Sequence, residues 1–377
     1  MNIFKNIVYT DRSINPAVSN THYIYNGIYN NSVVLPEEEG RVLVTTLQRS
    51  FDVFQRNDID GNYNIEHVDT LQPQDSGMYV CFDGKWQRVT KLEYSMLFSF
   101  FSKGYVYAGY RSSYSSLYDC DSYNPGTDGW SSNQNIPSPS RGWLSASTIK
   151  NKGYIYAGYN GSYLQDCDEY DPDTWTSKTD IPSPARRNLA ASTINDKGYV
   201  YGGYNNYSDC DEFNAAINSW VSKANLINGR YMLGATTIHD KGYIFDGNGT
   251  ADRKCDEYDP ILDSWTAKND RPTAGYDPSA STIDGKGYVY GCTGSGSNRT
   301  DQYDAIIDTW TTKTDMPNPG RYLAAASTIK QKGYLYGGYG DSSYLDDCDQ
   351  YDAKIDAWTS KTAMLYPARY RLAASTI

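Results

Sequence analysis

Arginines, acids and tyrosines are the residues in this chain whose types and spacing could do chemistry. Arg141, Arg186, Arg230, Arg321 and Arg369 each stand eight residues before an isoleucine, and Gly275 breaks the series. An arginine cluster with a tyrosine nucleophile and acids would suit sialidase-like glycoside cleavage. Residues that recur in register more often serve the fold, so these arginines are expected to pair with carboxylates between structural units. A second candidate is "NDIDGNYNIEH" at 57–67, which resembles a calcium loop. Aligned on Asp58, Asp60 and Gly61, it puts Arg56 at the first ligand position and His67 at the twelfth. Two key oxygens are then missing, and an Asx-Gly turn is the simpler reading. His22, His67 and His239 are the only histidines, too scattered for a His-based copper centre. The expectation is no catalytic residue, no metal and no cofactor. Tyrosine remains: 37 residues, against nine phenylalanines.

Thirty-seven tyrosines and 32 glycines in 377 residues fit many short strands joined by tight turns, and no segment shows sustained helical spacing. A net charge of −11 argues against a duplex-binding surface, which needs clustered lysine and arginine. The opening stretch has no apolar core of signal-peptide length, and no run of 18 apolar residues occurs. Neither Sec export nor a membrane span is expected.

The elements follow from an internal repeat. Lys-Gly-Tyr begins at 103, 152, 197, 241, 286 and 332, and tryptophan falls at 130, 175, 220, 265, 310 and 358, a period of about 45. Each unit reads as four strands: A ("AASTI"), B ("KGYVYGGY"), C ("CDEYD") and D (the tryptophan and its followers). Five of the seven cysteines, Cys120, Cys167, Cys210, Cys255 and Cys348, hold one slot of successive units. Equivalent slots of a radial array lie beyond disulfide reach, so free buried thiols are expected.

This pattern resembles the kelch repeat, with a glycine pair ending strand B, a tyrosine in C and a tryptophan in D. The pair is complete at Gly202-Gly203 and Gly337-Gly338, weakened at Ala108-Gly109 and Ala157-Gly158, and broken at Asp246-Gly247 and Gly291-Cys292. The resemblance implies an all-β chain: a six-bladed kelch-type β-propeller over 103–377. Residues 94–102 are a linker, and 1–93 form a small N-terminal β-rich domain with a hairpin turning at Asp83-Gly84. That segment is weakly similar to modules that mount appendages on bacteriophage tails. The chain ends on "RYRLAASTI", an A strand with no B strand after it, while "YSMLFSFF" (94–101) is too bulky for the first unit's innermost strand. Residues 369–377 are therefore expected to supply strand A of the first blade. Family propellers close in this way.

Loop variation then separates two faces. The A–B and C–D turns are nearly constant in length, whereas the B–C loops differ in every unit and are rich in Tyr, Ser, Gly and Asn. That composition suits adaptable recognition. The candidate binding residues are Tyr114, Tyr163, Tyr207 and Tyr344 in B–C loops, with Tyr231, Tyr322 and Tyr370 following the arginine slot in the D–A segments. The expected function is non-enzymatic: a virion protein, a phage tail or host-attachment appendage. Its N-terminal domain would bind other virion proteins, and its propeller a host-surface glycan or protein. A kelch adaptor for a peptide, or a glycan-active enzyme, are the alternatives.

Overall fold

The computed structural model describes residues 102–377 apart from 112–114, 173, 249–252, 294–297, 341 and 366, together with the backbone of strands before residue 90. Those early strands are Ile7–Thr10, His22–Asn26, Arg41–Thr45, Phe51–Arg56 and Tyr63–His67 in one sheet, and Met78–Phe82 paired with Lys85–Val89. The calcium-like stretch at 57–62 and the Asp83-Gly84 turn lie outside the described residues.

From Lys103 onward the chain is a six-bladed β-propeller of antiparallel four-stranded sheets. In the second blade the strands are Ser145–Ile149, Lys152–Tyr156, Cys167–Asp171 and Thr174–Ser177, in that order from the axis outward. Strand A alternates buried and partly exposed positions, because one of its faces lines the central channel. Only small side chains fit there, and Ala, Ser and Thr line a channel cavity of about 260 Å³. Strand B is buried almost throughout, since neighbouring blades cover both of its faces.

The expected closure is present. Ala373–Thr376 pairs with Gly104–Tyr107, so the first blade combines the C-terminal strand with strands from the start of the repeat.

Aromatic residues join blade to blade. The Trp220 indole N–H donates to the Thr179 carbonyl of the preceding blade at 2.8 Å, and its ring meets Tyr156 edge-on at 5.8 Å. Every blade repeats this bond, including Trp130 to Thr362 across the closure. Such a pair contributes ~1 kcal/mol beyond its buried area. The glycine of Lys-Gly-Tyr makes room for it: a Cβ on Gly153 would fall on the Tyr107 hydroxyl. The aspartate before strand D also reaches backwards. Asp263 accepts the Tyr258 hydroxyl at 2.7 Å and the Ala224 N–H of the preceding blade at 2.9 Å.

The arginine series is structural, with one correction: each residue pairs within the blade it enters, not between blades. Fully buried Arg141, Arg186, Arg230, Arg321 and Arg369 clamp Asp168, Asp211, Asp256, Asp349 and Asp121, the residue after each cysteine slot. At the fifth blade Gly275 does not leave a gap. Arg271, four residues upstream, takes the role, with Nε 2.8 Å from Asp301 and a second contact to Asp246. The described cysteines are all free and buried.

Candidate binding face at the channel mouth

At the B–C and D–A end of the channel, the residue two after each arginine slot turns back on itself. Trp143, Asn188, Met232, Asp277, Leu323 and Arg371 all have φ between 52° and 59°. Non-glycine residues seldom adopt this conformation, bulky ones least of all. The reason is a closed belt of backbone hydrogen bonds. Asn188 N–H donates to the Trp143 carbonyl at 3.0 Å, Met232 to Asn188 at 3.0 Å and Asp277 to Met232 at 2.8 Å. Leu323 then donates to Asp277 at 3.4 Å, Arg371 to Leu323 at 2.8 Å and Trp143 to Arg371 at 3.0 Å. The belt fixes six different side chains around the mouth, where with their neighbours they line a cavity of about 110 Å³.

Outside the belt runs a crescent of touching rings. From Tyr231 it passes to Tyr204 (5.1 Å), Tyr163 (6.0 Å) and Tyr159 (5.7 Å). It continues through Trp143 (5.5 Å), Tyr110 (5.3 Å) and Tyr370 (6.0 Å). Tyr370 stacks on Tyr344 at 4.7 Å, and Tyr339 links both to Tyr322. The chain of contacts stops at the fourth and fifth blades, where Asn248 and Thr293 stand at the end of strand B in place of tyrosine. Asp277 occupies the belt beside that opening.

Two guanidinium groups lie on the crescent. Arg187 sits over Trp143, Tyr159, Tyr163 and Tyr204, with its central carbon 4.5, 4.4, 5.2 and 4.3 Å from the ring centroids. Arg371 sits 3.7 Å from the Trp143 centroid and 4.7 Å from that of Tyr370. Cation–π contact stabilises such groups without neutralising them. Burial pushes the Asp277 carboxyl up to about 7, against the opposing pull of Arg371. The Tyr110 hydroxyl, donating to the Tyr159 carbonyl at 2.6 Å, is pushed up to about 12.

Of the tyrosines chosen from sequence, the crescent brings together Tyr163, Tyr231, Tyr322, Tyr344 and Tyr370. Tyr207 makes no ring contact with it among the described residues, and Tyr114 lies outside the described residues. Tyr370 is not the exposed loop residue it was expected to be. It is buried, and its backbone pairs with Tyr110 in both directions, so it supports the mouth as well as lining it. Sequence reasoning missed Tyr110, Tyr159, Tyr204 and Tyr339 because the final tyrosine of "KGYVYGGY" reads as part of the repeat. It missed Arg187 too, although a signal was there: Arg187 holds the slot that is tyrosine in four of the other units.

No protein-family profile and no curated protein matches the chain. Among solved structures it is similar to that of YjhT, a kelch-repeat protein, with a TM-score of 0.52 and 14% identity. The match covers 62% of this chain and 87% of that one. At this identity the likeness shows the fold alone.

Proposed function

We propose that the propeller is a non-enzymatic recognition module whose ligand, a host-surface glycan or protein, binds the B–C and D–A face. The chain as a whole would be a bacteriophage tail or host-attachment protein, with residues 1–93 docking it to other virion proteins. The observation that carries the recognition reading is the aromatic crescent around the channel mouth. Packing between the blades is served by a separate set of rings; in the crescent Tyr110, Trp143 and Tyr370 form a buried cluster at the mouth, and the rings around them reach solvent. Its partly exposed members, Tyr163, Tyr204, Tyr231, Tyr322 and Tyr344, offer flat faces with polar edges, the chemistry that anchors most recognition surfaces. The virion assignment is supported by the acidic composition and by an N-terminal segment outside the repeat.

The test compares two faces in an attachment assay with host cells and a glycan array. Tyr163→Ala, Tyr231→Ala and Tyr344→Ala should each weaken binding by ~1–3 kcal/mol if their rings are contacted. Lys152→Ala and Lys241→Ala, on the A–B side, should leave binding unchanged. Loss confined to the lysine variants would show that the other face is used.

A further inference from the structure

The face opposite the mouth carries side chains that the repeat does not ask for. Each C–D turn there is built by its first and last residues. Asp259 Oδ1 accepts the Ile261 N–H at 2.9 Å and the Leu262 N–H at 3.1 Å, and Asp304 Oδ1 accepts the Ile306 N–H at 3.0 Å. The last residue, Asn218, Asp263, Asp308 or Asp356, closes the turn with φ between 48° and 51°. The first blade makes the same turn between Asn124 and Asp128 with Gly126 and Thr127 in the middle. Nothing in the turn therefore requires an aliphatic side chain, and turns favour Gly, Pro, Asn, Asp and Ser. Yet the third to sixth blades place Ile217, Ile261 and Leu262, Ile306 and Ile307, and Ile355 there. All six are between 66% and 89% exposed. The turns of the first and second blades hold none. One exposed isoleucine means little, but an arc of them along one side of a face marks a contact surface.

We infer that this arc is the interface of a face-to-face dimer of the chain, with a two-fold axis in the plane of contact passing between the fourth and fifth blades. Two observations choose a second copy as the occupant. The first is number: from the third blade to the sixth, the turns carry one, two, two and one aliphatic tips. That axis sets each fourth blade against the partner's fifth, and each third against the partner's sixth. Pairs of tips then meet pairs and single tips meet single ones, the self-complementarity that an isologous contact requires. The polar turns of the first and second blades are left opposite each other at the rim, where interfaces are polar. The second observation is area. Together the six side chains present as much apolar surface as each partner gives to a standard interface, about 800 Å².

Charge does not oppose the contact. Asp259, Asp304 and Asp352, beside the tips, pair within their own copy with Lys241, Lys286 and Lys332 at 3.2, 2.9 and 3.0 Å. Asp263, Asp308 and Asp356 each accept a backbone N–H of the preceding blade. The carboxylates nearest the tips are thus answered before the copies meet. The mouth lies on the other face, so the dimer leaves both crescents open, and the inference stands whether or not they bind a ligand.

Sedimentation velocity of the full chain from roughly 1 to 100 μM should show a reversible doubling of mass, with a dissociation constant in the micromolar range or below. Ile261→Lys and Ile306→Glu should each weaken it at least ~10-fold by burying an unpaired charge. Mixed in equal amounts, the two variants should recover most of the association. Each mixed dimer sets the new ammonium against the new carboxylate on one side of the axis and keeps the natural pair on the other. Ile227→Lys, at an exposed isoleucine of a D–A segment, should leave association unchanged. Melting temperatures will show that all three variants fold. Monomers throughout the range, whether the arc is then bare or covered by a different protein, would overturn the inference. So would a doubling that survives both substitutions, or a mixture no tighter than its components.

Discussion

At Gly275 the repeat is broken, and the neighbouring residues show what the break costs and how it is met. In the second, third and fourth blades the second glycine of the pair lies against the methylene stem of the clamp arginine: Gly158 on Arg141, Gly203 on Arg186, Gly247 on Arg230. The fifth blade has no such stem, and Cys292 fills the space instead; a Cβ on Gly275 would run into its sulfur. The guanidinium arrives from Arg271, and Asp246, standing where a glycine is usual, gives it a second carboxylate. Three departures from the pattern thus answer one another. The sequence displays each as an isolated defect, because the link is spatial and the D–A segment carries no fixed spacing from which to read Arg271. The pairing is testable through its coupling. Gly275→Ala alone should destabilise by ~1–3 kcal/mol through overpacking. In a Cys292→Gly background the same change should cost well under ~1 kcal/mol, as contacting residues are not additive. Urea denaturation of the four proteins measures this, and equal costs in both backgrounds would refute the coupling.

At the scale of the element, the A strands and the segments leading into them form two stacked rings around the axis. The belt of backbone bonds is the outer one. The inner one is made by threonine hydroxyls, five of the six donating to the matching threonine carbonyl of the preceding blade, as Thr282 does to Thr237 at 2.7 Å and Thr376 to Thr328 at 2.9 Å, with Thr193 the exception. The threonines were visible in sequence as "STI". The belt was not, because its members are Trp, Asn, Met, Asp, Leu and Arg and share only a backbone conformation. For the same reason the crescent was half legible. Loop tyrosines stood out by composition, whereas strand-end tyrosines and Arg187 were hidden inside the repeat. If the belt sets the conformation, what matters at Met232 is a positive φ and a free N–H. Met232→Gly keeps both and should change stability by no more than about 1 kcal/mol. Met232→Pro forbids the φ and removes the donor, and should cost ~3 kcal/mol or more. Similar thermal shifts in the two variants would mean that the belt contributes little.

At the scale of the whole molecule, closure rests on nine residues. Residues 369–377 bring the first blade its inner strand, the Arg369 clamp to Asp121, the Arg371 link of the belt and the Thr376 link of the hydroxyl ring. Their end meets the start of strand B as in any other blade. Lys103 N–H donates to the Ile377 carbonyl at 2.8 Å, and Ile377 N–H to the Lys103 carbonyl at 3.1 Å, the register that Ile149 and Lys152 hold across a two-residue turn. That 369–377 pairs with the first strand B was legible from the small residues at the C-terminus. Its physical meaning is that the ring needs these contacts, not this chain order. Deleting 369–377 should therefore remove cooperative melting or lower the melting temperature by more than ~10 °C, because several buried groups lose partners at once. A circular permutant should behave differently. Begun within the D–A segment at Pro367, with Ile377 joined to Lys103 by the Asn-Asp turn of the third blade, it restores every one of these bonds and opens the chain at an external segment. It should melt within a few degrees of the propeller in its natural order. A permutant as unstable as the deletion would show that the ends are held by something other than the pairing of strand A with strand B.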